Sequence, residues 1–417
     1  MPRIDFAMSA PKKNEAFHYG WIIVAVGALT LFSCLGLARF AFGMLLPSMG
    51  AGLGLAYDQM GFVGTGNFAG YLLSVALAPL LIRRWRPRLT IVVGLLLIAA
   101  GMFSIALCHS FATLLALYFC VGVGSGLANI PAMVLVSHWF RRRSRGRAAG
   151  LMIVGNGAAI VFSGLFVPSM NSLYGGEGWR AAWLVLGLIT LLIAVLAAVL
   201  LRNDPEEKNL EPYGEAEALP QTSMLDKAQT GTGRVLVFLG LLYFAFGATY
   251  MVYGSFVVTT MVREFGFAEA RAGMFWSWVG FLGIFSGVGF GIISDRIGRR
   301  GGLTVVFALQ TLAYLLVGLQ IGTGALILSV VLYGLTVFAI PTIMAAAVGD
   351  YLGLPRAAGA FSLITFFFAA GQTFGPGAAG LLAESTGTFF ASYIAAAVLT
   401  AVSTILSRFL PKPARAS

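Results

Sequence analysis

Arg39 is the only Lys or Arg that falls inside a long apolar run of this chain, in the stretch Arg39-Phe40-Ala41-Phe42-Gly43. A guanidinium at the depth of a bilayer costs about 2.5–3.5 kcal/mol on insertion scales, so such a residue marks a solute pathway by default. Its planar fork grips a carboxylate bidentately in a low-dielectric cavity, which makes it a candidate anion anchor. The structural alternative is an arginine satisfied by backbone carbonyls, or by Asp58 or Glu264. No Asp or Glu stands at the centre of an apolar run; Asp58, Asp350 and Glu384 sit near run ends. A cationic substrate wants a buried carboxylate, so the pattern favours an anionic or neutral one. It also removes the obvious proton relay and leaves protonation of the substrate itself as the route to proton coupling.

Other polar side chains interrupt the apolar runs. Tyr250 and Tyr253 offer phenols that could hold a carboxylate across from Arg39, with aromatic packing as the alternative. Asn67 and Tyr71 lie four residues apart on one helix face; Asn129, Asn156, Trp276, Gln310, Tyr333 and Gln372 complete the candidate substrate contacts. Each is also explained by an interhelical hydrogen bond, worth about 0.6 kcal/mol. No nucleophile–base constellation, metal cluster or cofactor motif stands out, which disfavours an enzyme. The three cysteines, Cys34, Cys108 and Cys120, have no metal-ligand spacing and read as packing residues. A second charged feature is Gly291-Ile-Ile-Ser-Asp295-Arg296-Ile-Gly298-Arg299-Arg300. Here Asp295 and Arg296 close one helix, Gly298 permits the bend, and Arg299 and Arg300 hold the next helix start at a water boundary.

The elements that must position these residues are set by composition. The 417 residues are 59% hydrophobic and 10% charged, with mean hydropathy +0.88. A soluble chain of this length carries about 25% charged residues. At about 20 residues per span there is room for about twelve membrane helices. They are expected near 20–48, 58–82, 88–107, 110–136, 147–174, 180–201, 234–262, 267–294, 302–321, 323–350, 357–384 and 387–409. The stretch 202–233 is polar and acidic, with Asp204, Glu206, Glu207, Glu211, Glu215, Glu217 and Asp226, and suits a flexible linker. It divides the chain into a six-helix bundle over 1–201 and another over 234–417.

Of the 27 Lys and Arg residues, Arg180, Arg263 and Arg271 fall on one side of this topology and Arg39 within it; all the others fall on the opposite side. The positive-inside rule then places both termini in the cytoplasm. The net charge of +11 follows from these topology determinants and implies no nucleic acid. Sliding the second half over the first by about 210 residues aligns Gly54 with Gly266, Pro131 with Pro341 and Pro168 with Pro376. Arg147-Ala-Ala-Gly150 likewise falls on Arg356-Ala-Ala-Gly359. Two parallel repeats about an axis along the membrane normal put a substrate at their interface.

The Gly291–Arg300 segment resembles the G-x-x-x-D-R-x-G-R-R loop signature of the major facilitator superfamily. Gly122, Gly124 and Gly126, Trp139-Phe-Arg-Arg-Arg143 and Gly155-Asn-Gly157 resemble the span 4–5 region of its monocarboxylate and organic-anion porters. His18-Tyr-Gly-Trp21 has the same look, and Arg39 to Pro47 resembles the first span of a bacterial YbfB-type branch. The resemblance implies an all-α fold of twelve transmembrane helices in two parallel six-helix repeats. In two places the chain departs from the pattern. Arg83 stands where the first-half loop should carry Asp, which leaves Arg84 to hold that loop against helix-end carbonyls. The arginine usual in span 8 is absent from Ser286 to Phe290.

The implied protein is a monomeric secondary transporter in the bilayer of the cell inner membrane, working by alternating access. Its expected substrate is a small organic anion, a carboxylate, carried with proton symport and no cofactor or metal. Arg84, Asp295, Arg296, Gly298, Arg299 and Arg300 are the candidate gating residues that hold the outward-open state. The alternatives are an efflux pump for amphipathic drug-like compounds, lined by the 33 phenylalanines, and a non-transporting membrane sensor. A sensor needs a soluble signalling module, for which the tails and linker are short.

Overall fold

A computed structural model describes residues 17–215, 232–352 and 354–411. The chain is a set of long apolar helices. The first rod, Gly20–Leu53, comprises α1 (Gly20–Leu31), a π-helical turn over Phe32–Phe40 and α2 (Ala41–Leu53). Gly54, at φ 62°, ends it in the left-handed region that glycine enters without penalty. Then comes α3 (Tyr57–Ala106), expected as two spans and broken at Arg86, whose φ is 63°. Pro87 follows and denies its predecessor the helical region, so the chain folds back into two arms.

The first half continues with α4 (Phe111–Trp139), α5 (Arg142–Tyr174) and α6 (Gly178–Leu200). The second half holds α7 (Thr232–Arg263), α8 (Glu269–Ile297), α9 (Arg299–Gly318), α10 (Thr323–Thr336), α11 (Ala339–Leu352), α12 (Leu354–Thr386) and α13 (Phe390–Ser407). Among the described residues, nine stretches are long and apolar enough to cross a membrane; one contains the break at Arg86 and another the α5–α6 turn. The helical bounds lie within about five residues of the expected spans, the first rod running on to Leu53 and α5 starting early at Arg142, and the expected span 323–350 is divided into α10 and α11.

The linker differs from expectation over its first part. Residues 202–215 are not loose but strapped to one face of the first half. Tyr213 N–H donates to Trp139 O at 2.8 Å and Arg141 N–H to Tyr213 O at 2.9 Å. Trp139 Nε1 donates to Arg202 O, Arg141 pairs with Glu211, and Arg143 with Glu215. The Tyr213 ring packs against His18, Trp21 and Phe140. Of the acidic residues expected to keep this segment in solution, Glu211 and Glu215 pair with Arg141 and Arg143 while both carboxylates stay largely exposed. Residues 216–231 of the expected linker lie outside the described residues.

The face that carries this strap is here called the near face, and the opposite one the far face. At the far face the halves press together. A Cβ added at Gly43 would stand 2.2 Å from Gly254 O, and one at Gly164 2.4 Å from Gly273 O, so backbones of α2 and α7, and of α5 and α8, touch directly. The α3–α12 seam is bridged by Thr65 Oγ1, which donates to Thr373 O at 2.7 Å, and the α5–α8 seam by Ser277 Oγ, which donates to Val161 O at 3.1 Å. Towards the near face, Gly146 and Gly150 of α5, Gly289 of α8 and Gly359 of α12 have no neighbour within 4 Å of such a Cβ. Among the described residues no hydrogen bond joins the halves there. The molecule is closed on its far face and parted on its near face.

Candidate functional site

Arg39 sits in the π-helical turn that interrupts the first rod. A wider turn of this kind is a frequent feature of functional sites, because it re-aims one side chain out of the regular helical register. The residue is 6% exposed. Its Cζ stands 4.6 Å from the ring centres of both Phe68 and Tyr71 on α3, so aromatic faces cover the guanidinium. Nε and Nη2 have no hydrogen-bond partner in the protein. These two nitrogens share one edge of the guanidinium, the edge that grips a carboxylate side-on. No carboxylate forms an ion pair with Arg39 among the described residues. The two structural alternatives are engaged elsewhere: Asp58 Oδ1 accepts from Gln59 N–H, and Glu264 from Phe389 N–H.

Two phenols flank the arginine, each held by an amide from a neighbouring helix. Asn129 Nδ2 of α4 donates to Tyr71 Oη at 2.9 Å. Gln372 Nε2 of α12 donates to Tyr250 Oη of α7. The Tyr250 phenol also interacts with the Arg39 guanidinium, so the polar chain crosses from one half to the other. Tyr250 is 5% exposed and Gln372 fully buried, and Tyr250 stacks on Phe246 and Phe368. Five of the expected contacts therefore come together: Arg39, Tyr71, Asn129, Tyr250 and Gln372. Each phenol oxygen that accepts from an amide keeps its own proton for another acceptor.

The remaining candidates stand apart from this cluster. Asn67 Nδ2 donates to Tyr118 O at 3.1 Å, joining α3 to α4. Tyr253 pairs with Ser329 at 2.9 Å and stacks on Tyr333, whose hydroxyl donates to Tyr250 O at 2.6 Å, all within the second half. Gln310 Nε2 reaches Thr336 O at 3.5 Å. Trp276 is buried with its ring 6.4 Å from that of Phe40, next to Arg39 in sequence; its Nε1 has no partner. Asn156 is 6% exposed and its Oδ1 is likewise unpaired. Phe68 was not distinguishable in the sequence, since one phenylalanine in an apolar run looks like the rest.

On the near face, Arg299 Nε donates to Asp350 Oδ2 at 2.6 Å and Nη1 to Asp295 Oδ1 at 2.5 Å. This ties the end of α8, the start of α9 and the end of α11. The two carboxylates offset the partial burial of the Arg299 charge. Gly298, at φ 84°, makes the bend between α8 and α9. Arg84 and Arg296 are exposed and Arg300 half-buried. Among the described residues Arg84, expected to hold the first-half loop, makes no hydrogen bond or ion pair. Arg88 holds the loop instead, with Nε donating to Ala198 O at 3.1 Å and its backbone N–H to Asn203 Oδ1 at 2.9 Å. The turn at Arg86 points Arg88 at the open carbonyls ending α6 and leaves Arg84 facing outward.

Comparison with known proteins fits this architecture. The chain is 26% identical to monocarboxylate transporter 11 of Mus musculus over 398 residues, covering 90% of this chain and 84% of that protein. It is 23% identical to the hexuronate transporter of Bacillus subtilis (strain 168) over 380 residues, covering 86% and 87%. A bacterial homologue of the human lysosomal transporter Spinster, solved in an inward-facing and unoccupied conformation, superposes with a TM-score of 0.73 at 16% identity, over 94% of this chain and 97% of that one. The family model described as "uncharacterised MFS-type transporter YbfB" matches residues 31–408. A helical membrane chain of this build, matched over nearly all its length, belongs to that family of the major facilitator superfamily and is a membrane transporter.

Proposed function

We propose that this transporter moves a small organic anion, a monocarboxylate, by alternating access, with Arg39 as the anion's anchor. The observation that carries the reading is the unpaired Nε–Nη2 edge of a buried guanidinium with no protein carboxylate beside it. Aromatic rings on its faces leave the in-plane edge as the approach, which suits a flat carboxylate. The Tyr71 and Tyr250 hydroxyls supply further donors beside it. One cation without a second favours a single negative charge on the solute. The names of two relatives, monocarboxylate transporter and hexuronate transporter, denote carboxylates as well.

In this reading twelve spans form two six-helix bundles that rock about the Arg39 cluster, residues 1–201 and 234–417, in a monomer of the cell inner membrane. Both termini are cytoplasmic by the basic-residue asymmetry, so the near face is the cytoplasmic one. Any coupled proton travels on the substrate's own carboxyl group.

The test is thermal-shift and direct binding measurement on purified protein with a panel of small monocarboxylates and a panel of amphipathic drug-like compounds. Stabilisation by monocarboxylates that disappears in Arg39→Ala supports the anchor. Stabilisation by the amphipathic panel alone, unchanged in Arg39→Ala, would replace it with an efflux pump.

A further inference from the structure

Each of the two seams that close the far face is crossed by one carboxylate of the second half. Glu384, in the last turn of α12, accepts the backbone N–H of Tyr57, the first residue of α3, at 2.9 Å. That N–H is one of the free donors at a helix start, where a negative charge also meets the positive end of the helix. Glu269, the first residue of α8, accepts from Asn171 Nδ2 near the end of α5 at 2.5 Å. The same amide group donates to Ser48 Oγ of α2 at 3.1 Å, so this contact gathers three helices. A cleft of about 590 Å³ lies beside it, lined by Ser48, Pro168, Asn171, Gly175 and Glu269, so the seam begins to open here.

Beneath the two carboxylates the helices touch through glycine backbone, which brings them close, and through the neutral hydroxyl bonds of Thr65 and Ser277. Charge-assisted bonds are the stronger kind. A third carboxylate on this face, Glu264, accepts from Phe389 N–H at 2.8 Å and from Gln320 Nε2, and so bonds only within the second half.

We propose that Glu269 and Glu384 are paired latches of the transport cycle, one per seam, and that the far face opens when both release their first-half donors. Because both belong to the second half, a rigid movement of that half breaks them together. The proposal rests on the alternating-access reading above, but its test uses no solute, so it stands or falls apart from the anion assignment.

The experiment is double electron–electron resonance on the full chain with native cysteines replaced by serine. One spin-label pair, at Leu107 and Ile321, reports the far ends; another, at Leu89 and Ile297, reports the near ends; all four residues are exposed. Losing a charged hydrogen bond is expected to raise the far-open population about tenfold per latch. In Glu269→Ala/Glu384→Ala the Leu107–Ile321 distance should lengthen while the Leu89–Ile297 distance shortens. Glu264→Gln should move neither. Unchanged distances in the double variant would overturn the proposal. So would far-end lengthening without near-end shortening, which is loosening rather than a cycle step, or an equal response to Glu264→Gln. If the double variant does not fold, Asn171→Ala removes one donor and keeps both carboxylates. It should give the single-latch shift, and no shift would overturn the proposal equally.

Discussion

At the scale of single residues, Arg39 carries a burial cost that, in the proposed reading, the solute relieves. A buried guanidinium edge without partners destabilises the empty protein, and replacing such a charge with an apolar side chain is often neutral or stabilising. Arg39→Leu is therefore expected to keep or raise the melting temperature of the empty protein while abolishing carboxylate-induced stabilisation; a fall of several degrees in the empty variant would show that the charge is structurally satisfied. Arg39→Lys keeps the charge but loses the fork, and binding should weaken by roughly tenfold or more, read by titration calorimetry. Glu264 gives a pH signature. Burial is the larger effect on its carboxyl and raises its pKa above the ordinary glutamate range despite the bonds from Phe389 N–H and Gln320. The folded state thus binds a proton more readily than the unfolded chain, so this group's contribution favours the fold below its raised pKa and is lost as pH climbs through it. Glu264→Gln should flatten that slope and leave the protein no less stable at neutral pH, measured by thermal melts across pH 4 to 8 (a range about the ordinary carboxylate value). The cluster partners Tyr71, Asn129, Tyr250 and Gln372 were legible in the sequence because a polar side chain in an apolar run must find a bond. That the six other candidates would stand apart from them was not, since membership depends on helix rotation.

At the scale of elements, the spans were readable because twenty apolar residues leave few options, whereas their irregularities were not. Nothing in Phe32–Phe40 signals a π-helical turn; it follows from how the first rod packs against its neighbours. The strap over 202–215 was hidden for a related reason: its backbone bonds to Trp139 and Arg141 depend on how the chain returns to the first half. Asp350 likewise looked like a mere span end, yet it shares Arg299 with Asp295. Since Asp295 is 62% exposed, Asp295→Asn should cost under about 1 kcal/mol of stability. The expected effect is on motion: uptake into vesicles reduced severalfold with binding affinity retained. Full uptake activity in that variant would remove the α8–α9 turn from the gating machinery.

At the scale of the whole molecule, the internal repeat at an offset of about 210 residues announced two similar halves, but not which way they lean. That depends on small differences between two packings of the same helices, spread over many contacts and encoded at no one position. The clasp of Gly43 on Gly254 and of Gly164 on Gly273 at one end, with free glycines at the other, has an electrical consequence. Water that enters between the parted ends brings the potential of that side inward, so the membrane voltage falls mainly across the thin clasped ends. In this state Arg39 lies on the near side of that steep drop. When the clasp yields and the opposite ends meet, the drop passes to the other flank of the guanidinium. A charge so transferred is worth up to about 2.3 kcal/mol per 100 mV. On the proposed anion reading, a solute carried with its negative charge cancels it and makes the return of the empty carrier the voltage-sensitive part of the cycle, whereas a solute carried with a proton cancels nothing.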